Sequence, residues 1–171
     1  NAGINRKIIS QALSLLELSE DDTVLDLFCG LGNFTLAAAR RAKKVVGVEG
    51  SQEMVIRGSE NASLNGLSNI EFHAADLFQP ISEKDWAAQQ YSKIILDPPR
   101  SGAIEIIPEI AKLGAKIIVY VSCNPATLAR DTAELISAGY QLRATGVMDM
   151  FPHTTHVESM AVFDAGKRPR K

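Results

Sequence analysis

Cysteine is scarce in this 171-residue chain, occurring only as Cys29 and Cys123. Two thiols cannot build a disulfide framework, nor a four-thiolate metal site within the chain, and a reduced, cytoplasmic setting is the expectation. If they end the first and fifth strands with the fourth between them, they stand two strand spacings apart, roughly 10 Å, beyond disulfide reach. Long apolar runs are also missing. The longest, such as Ile117 to Val121, stop far short of the roughly 20 residues a membrane helix needs. Nor is positive charge in excess: the net charge is −2 with a pI near 5.9, so the overall field lacks the basic character of most nucleic-acid binders. Any RNA substrate would need other segments to help hold it. The chain opens Asn1-Ala2-Gly3 with neither Met nor an apolar signal region, which points to the C-terminal piece of a longer protein rather than a secreted one. No repeat or low-complexity segment interrupts it.

What is present is the composition of one globular domain, 46% hydrophobic and 22% charged, followed by a basic tail, Lys167-Arg168-Pro169-Arg170-Lys171, best read as solvated and disordered. Apolar residues at Ile8, Ile9, Ala12, Leu13, Leu15 and Leu16 predict an amphipathic helix over 5–16, packed across a sheet edge. Strand and helix patterns then alternate: strand 23–27, helix 33–41, strand 45–48, helix 52–64, strand 70–73. After a polar loop over 82–90 come strand 93–96, helix 104–113, strand 116–121, helix 126–138 and final strands 140–148 and 157–163. Such alternation predicts an α/β fold, a mostly parallel sheet with helices on both faces, whose ligands sit at the carboxyl ends of the strands.

Two strand ends there carry a cofactor pattern. In Asp26-Leu27-Phe28-Cys29-Gly30-Leu31-Gly32-Asn33-Phe34-Thr35, two glycines allow close backbone approach to a ligand at a helix N-terminus. Thr35 takes the place of the third small residue of a dinucleotide fingerprint, which counts against NAD or FAD. Glu49, ending the second strand, sits where a carboxylate accepts hydrogen bonds from ribose hydroxyls, so an adenosine-type cofactor is the reading; a tight turn plus a surface glutamate is the bland one. Asp76 suits either an adenine amino group or a helix cap.

The chemical pattern lies further on. Cys123 follows an apolar strand and precedes Asn124-Pro125 and a helix N-terminus, whose partial positive charge favours thiolate. Against a small buried hydrophobe stands its position at a carboxyl strand end, which makes it a candidate nucleophile. His153 and His156 could be read as a base for the thiol or as metal ligands beside Glu158, but they lack the tight helical zinc spacings, and no metal is expected. Glu158 opens the last strand and could face the thiolate as a carboxylate base, or stand as an exposed strand-end residue.

At this point the motifs Asp26-Leu-Phe-Cys-Gly-Leu-Gly-Asn-Phe-Thr35, Leu96-Asp-Pro-Pro-Arg100, Val121-Ser-Cys-Asn-Pro125 and Phe151-Pro-His-Thr154 with His156-Val-Glu158 resemble, in order, the RNA uracil-C5 methyltransferase family. The likeness covers nearly the whole chain. Through Val46-Gly-Val-Glu49-Gly50 and Met148-Asp-Met-Phe-Pro-His153 it is nearer the branch that methylates 23S ribosomal RNA than the transfer-RNA branch, its rival. The resemblance implies a Rossmann-like, class I S-adenosylmethionine-dependent fold over 1–166, with a seven-stranded sheet whose last strand is antiparallel. It implies that Phe28, Gly30, Gly32, Asn33, Glu49, Asp76 and Asp97 hold the cofactor, Cys123 is the nucleophile and Glu158 the base. The implied partner is a uridine in a loop or single-stranded region of ribosomal RNA, with no membrane and a monomeric enzyme. Family members of the ribosomal branch also carry an N-terminal RNA-binding barrel, a four-cysteine iron–sulfur cluster and a cofactor-binding glutamine that would fall before Asn1. The chain then reads as an isolated catalytic domain, weak or inactive alone. Two rivals stay open: an exocyclic-amine methyltransferase, which Asp97-Pro98-Pro99 resembles although Arg100 replaces the stacking aromatic, and a noncatalytic cofactor- or RNA-binding scaffold.

Overall fold

In a computed structural model, residues 2–149 and 157–166 are described. Four runs rich in branched apolar residues form central strands, because a parallel strand covered by helices must be apolar on both faces. These are β1 (Thr23–Leu27), β2 (Lys44–Glu49), β4 (Lys93–Leu96) and β5 (Ile117–Ser122), with β3 (Ile70–Ala74) at one edge. The strands β6 (Tyr140–Asp149) and β7 (Val157–Ala165) complete a seven-stranded sheet of order β3-β2-β1-β4-β5-β7-β6. All neighbours pair in parallel except β7, which runs antiparallel between β5 and β6.

Among the described residues five α-helices cover the sheet: α1 (Ala2–Leu16), α2 (Asn33–Ala39), α3 (Gln52–Leu64), α4 (Ile107–Ile110) and α5 (Pro125–Ser137). One core layer joins Ile8, Ala12, Leu13 and Leu16 of α1 and Phe34 and Ala38 of α2 to Val24, Val45, Ile95, Val119 and Val121. The other joins Ile107 and Ile110 of α4 and Leu128 and Leu135 of α5 to Leu25, Val46, Ile94, Leu96, Ile118 and Tyr120. The alternation of side chains along each strand thus sorts the sheet residues into two layers. The α3 helix lies on the α2 side, where Gly58 meets the ring of Phe72. Among the described residues no helix is long and apolar enough to cross a membrane.

Three expectations need correcting. The helix α1 does not pack across a sheet edge; it lies on a face, against α2, β5 and β7, because its apolar stripe finds the Ile95–Val119–Val162 surface there. The helix predicted over 104–113 is reduced to one α turn followed by a 3-10 turn, Ala111–Leu113. Gly102 at φ 83 and Pro108 in the first helical turn explain the late start, since proline is tolerated where its missing N–H would be unpaired anyway. The polar loop over 82–90 contains a 3-10 turn, Asp85–Ala88, that buries Trp86, and the Tyr91 hydroxyl donates to the Trp86 carbonyl at 2.6 Å.

The turn after β4 is held by a buried acid. Asp131 of α5 is fully buried, and its Oδ2 accepts from the Tyr120 hydroxyl at 2.6 Å and from the Ala103 N–H at 2.7 Å. Its Oδ1 accepts from Arg130 at 2.7–2.8 Å, and Arg130 also donates to the Ser101 carbonyl at 2.8 Å. Asp131 therefore ties the Asp97–Ala103 turn to β5 and α5. Because removing the acceptor leaves buried donors unpaired, Asp131→Ala is expected to lose about 2–4 kcal/mol in urea unfolding, and Tyr120→Phe only about 1 kcal/mol.

Candidate active site

The loop between β1 and α2 turns through three left-handed residues, Phe28 (φ 62), Gly30 (φ 54) and Gly32 (φ 85). Phe28 is the costly one, because a side chain in this region is disfavoured and persists only when its surroundings demand it. Its ring lies 5.7 Å from that of Phe78, tilted by 55°. Gly32 caps α2, and Asn33 opens that helix, exposed at the loop. Glu49 clamps this loop to the next one: Oε2 accepts from the Gly30 N–H at 3.1 Å and Oε1 from the Ser51 N–H at 3.0 Å. A carboxylate has about four acceptor positions, so two remain for ribose hydroxyls.

These residues border a cleft of about 350 Å³ lined by Phe28, Glu49, Met54, Asp76, Phe78 and Asp97, among others. The structure brings together Phe28, Glu49, Asp76 and Asp97 in one cleft, to which Gly30 is tied through its bond to Glu49, whereas Asn33 is not part of the wall. Asp76 keeps both expected roles open, since it accepts from the Phe78 N–H at 3.0 Å in a local turn while facing the cleft.

A residue that sequence reasoning passed over lies beneath this loop. Asp26 is fully buried; its Oδ2 accepts from the Thr35 hydroxyl at 2.5 Å, and its Oδ1 has no hydrogen-bond partner among the described residues. Burial, reinforced by the negative charges of Asp97 and Glu49, pushes its carboxyl up to about 7. The signal was an aspartate inside an apolar strand, which is costly unless it has a task. Asp97, at the end of β4, is likewise pushed up to about 7, first by burial and then by the nearby Glu158 carboxylate. In the cleft wall the raised Asp97 carboxyl fits a cationic group, and the paired rings of Phe28 and Phe78 with the carboxylates of Glu49 and Asp76 fit an aromatic base and sugar hydroxyls.

Of the two thiols, only Cys123 has an opening. Cys29 is buried with its sulfur over Gly47, and burial together with the charges of Asp26 and Glu49 drives its thiol far above the ordinary range, so it stays a thiol. Cys123 is partly exposed, directly after β5 and before Asn124, which caps α5 by accepting from the Ala126 N–H at 3.1 Å. The Asn124 amide donates to the Arg100 carbonyl at 3.1 Å and joins this loop to the turn carrying Asp97.

Glu158 reaches the same rim because β7 is antiparallel. Ser122 pairs with Ser159, so the next residue on β5's side, Cys123, comes level with Glu158 at the start of β7. A parallel β7 would have carried Glu158 to the opposite edge. Phe151, His153, Thr154 and His156 of the last motif, and the tail 167–171, lie outside the described residues.

A mixed seven-stranded sheet with β7 inserted antiparallel, and a cleft at its carboxyl edge, define the fold of S-adenosylmethionine-dependent methyltransferases. The sequence model described as tRNA (Uracil-5-)-methyltransferase matches residues 1–165, and the chain belongs to that family. It is 64% identical over 168 residues to the 23S rRNA (uracil(1939)-C(5))-methyltransferase RlmD of Alcanivorax borkumensis, covering 98% of this chain and 38% of that protein. It is 60% identical over 164 residues to the protein of the same description from Alkalilimnicola ehrlichii, covering 95% and 37%. Among solved structures it is similar to the Pyrococcus abyssi tRNA (uracil-54, C5)-methyltransferase in complex with S-adenosyl-L-homocysteine, with a TM-score of 0.81 and 29% identity over 95% of this chain and 38% of that one. The chain thus spans well under half the length of the curated relatives it matches.

The raised carboxyl of Asp26 makes a sign-specific prediction. A group that binds its proton more tightly folded than unfolded contributes stability at low pH, and that contribution is lost as pH rises from the unfolded value near 4 to the folded value near 7. Asp26→Asn, which keeps an acceptor for Thr35, should therefore gain stability relative to wild type on going from pH 5 to pH 8, read as a Tm difference. An equal difference at both pH values would contradict the burial argument.

Proposed function

We propose that residues 1–166 are the catalytic domain of a 23S rRNA (uracil-5-)-methyltransferase that acts on a uridine presented in a loop or single strand, as a monomer and in the cytoplasm, with 167–171 a basic tail. The observation that carries this reading is the register of β5 against β7, which sets Cys123 and Glu158 level at the rim beside the Asp97 cleft. The ribosomal target is supported by relatives at 60–64% identity whose names state it, against 29% for the transfer-RNA enzyme.

S-adenosylmethionine fits the cleft and, when bound, supplies a methyl group on a sulfonium. Phe28 and Phe78 would hold its adenine, Asp76 the adenine amino group, Glu49 its ribose, and Asp97 with the Gly30–Gly32 loop its amino-acid end, near Asn33. Carbon 5 of uracil is a poor nucleophile, so the Cys123 thiolate first adds to carbon 6 and puts enolate character on carbon 5 and O4. With the methyl accepted, Glu158 removes the remaining carbon-5 proton and the Cys123–C6 bond breaks, restoring the ring double bond and the thiolate. Unstacking the uridine costs a few kcal/mol, least in a loop.

An exocyclic-amine methyltransferase leaves Cys123 idle and lacks an aromatic at Arg100; a scaffold leaves both Cys123 and Glu158 idle. RNA bearing 5-fluorouridine, which has no carbon-5 proton to lose, separates these readings. The protein at its full encoded length should form an adduct with it, seen by mass, that requires the cofactor and disappears in Cys123→Ala; an adduct surviving that change, or none at all, overturns the mechanism. Glu158→Gln should accumulate methylated adduct on ordinary RNA and lose a factor of about 10²–10⁴ in turnover. Unchanged turnover removes Glu158 from its role.

A further inference from the structure

On the α5 side of the sheet, next to the candidate catalytic pair, lies a second cleft that the proposed reaction does not use. It has a volume of about 350 Å³ and is walled by Leu128 and Ala129 of α5 and by Leu142 and Val147 of β6, with Ser159 and Ala161 of β7 as its floor. Side chains alternate along β7, so Ser159 faces the same way as Ala161, which packs in the core layer under α5. The end of the cleft nearest the carboxyl edge is continuous with the rim that carries the pair. Pro125, which also lines it, stands two residues after Cys123, and Ser159 follows Glu158 directly.

The chemistry of these walls is selective. None of the described residues that line the cleft is charged, so neither a phosphate nor an ammonium group finds a counter-charge there. Leu142 and Val147 are 42% and 68% exposed on β6, the edge strand, which leaves apolar surface open beside the cleft. Yet a purely apolar occupant would leave one group unpaired. Ser159 is 3% exposed, and its hydroxyl has no hydrogen-bond partner among the described residues. Its neighbour across the ladder behaves differently: the Ser122 hydroxyl accepts from the Asn124 N–H and donates to the Asn124 carbonyl, both at 3.0 Å. A buried hydroxyl without a partner is unfavourable, and alanine at the same place would avoid that cost.

Resting on the RNA-methyltransferase reading above, we propose that this cleft holds a nucleobase of the RNA next to the target uridine, with its polar edge toward the Ser159 hydroxyl. A base is uncharged, apolar on its flat faces and lined with donors and acceptors at its edge, the combination that these walls accept. A uridine drawn out of its stack to reach Cys123 leaves its neighbours unstacked as well. A neighbour seated one strand further along the rim fixes which uridine is presented. Because a serine hydroxyl both donates and accepts, the subsite sets the register of the strand more than its sequence.

Paired changes in protein and RNA test this. The full-length protein is assayed on an RNA oligonucleotide cut from the segment of 23S ribosomal RNA that it modifies, and the two nucleotides on each side of the uridine are replaced in turn by an abasic ribose. One replacement should raise the KM for RNA about tenfold, as loss of one ring from an apolar wall does, with the KM for S-adenosylmethionine unchanged. Ala129→Leu, on the exposed side of α5, fills the cleft; it should cause a like increase with intact RNA and almost none with that abasic RNA, because both changes remove one contact. Ser159→Ala should raise the KM for intact RNA roughly 3–10-fold while its Tm stays equal to or above that of the wild type, since the lost hydroxyl had no partner in the protein. A merely structural serine would show the reverse, a lower Tm with an unchanged KM. An Ala129→Leu loss of the same size on every RNA assigns the cleft to a contact within the protein and overturns the proposal, as does an unchanged KM in both variants. Either result leaves the methyltransferase reading standing. Failure of the wild-type protein to methylate any segment of 23S ribosomal RNA overturns that reading, and the subsite with it.

Discussion

The antiparallel pairing of β7 with β5 is the constraint on which the candidate site depends. In a wholly parallel sheet every strand delivers its C-terminal residue to the ligand edge, so an N-terminal strand residue such as Glu158 would be stranded on the far side. Inserting β7 in the opposite sense brings its first residues to that edge, and the Ser122–Ser159 register then sets which residue meets Cys123. The same insertion gives β6 a partner and leaves Tyr140, Ala161 and Phe163 in the core under α5. Cys123 and Glu158 thus owe their proximity to a backbone hydrogen-bond ladder. No direct bond between their side chains is needed.

Around that ladder the site is organised by electrostatics more than by shape. Burial raises the proton affinity of Asp26 and Asp97; the charges of Asp97 and Glu49 add to it at Asp26, and that of Glu158 adds to it at Asp97. The same charges hold Cys29 as an un-ionised thiol within the cofactor loop itself, which separates two chemically identical side chains into a packing residue and a partly exposed one. Asp131 works differently: its charge is compensated by Arg130, Tyr120 and the Ala103 amide, and it holds the Asp97 turn against β5 and α5.

Much of this was legible beforehand. Periodicity located all seven strands and the helices over 33–39 and 52–64 to within a residue or two, because those segments bury complete faces and carry their own punctuation, such as Asn65-Gly66 after α3. It failed where local signals compete. The Ile104–Leu113 stretch looked helical by apolar content, but Gly102 and Pro108 shortened it, and the polar residues over 82–90 hid Trp86, whose burial is decided by the space beneath β4's connections.

The sequence alone determined the alternating α/β architecture, the glycine turn at a strand end and the candidates Glu49, Asp76, Cys123 and Glu158, since each follows from residue type and its place relative to a strand end, while Asp97 entered through the family resemblance. Tertiary structure alone decided the strand order, the face on which α1 packs and the full burial of Asp26 beneath the cofactor loop. The reason is physical: side-chain period and turn chemistry act over a few residues. The pairing of β5 with β7, and the burial and mutual repulsion of acids on four different strands, exist only once segments far apart in the chain share a sheet.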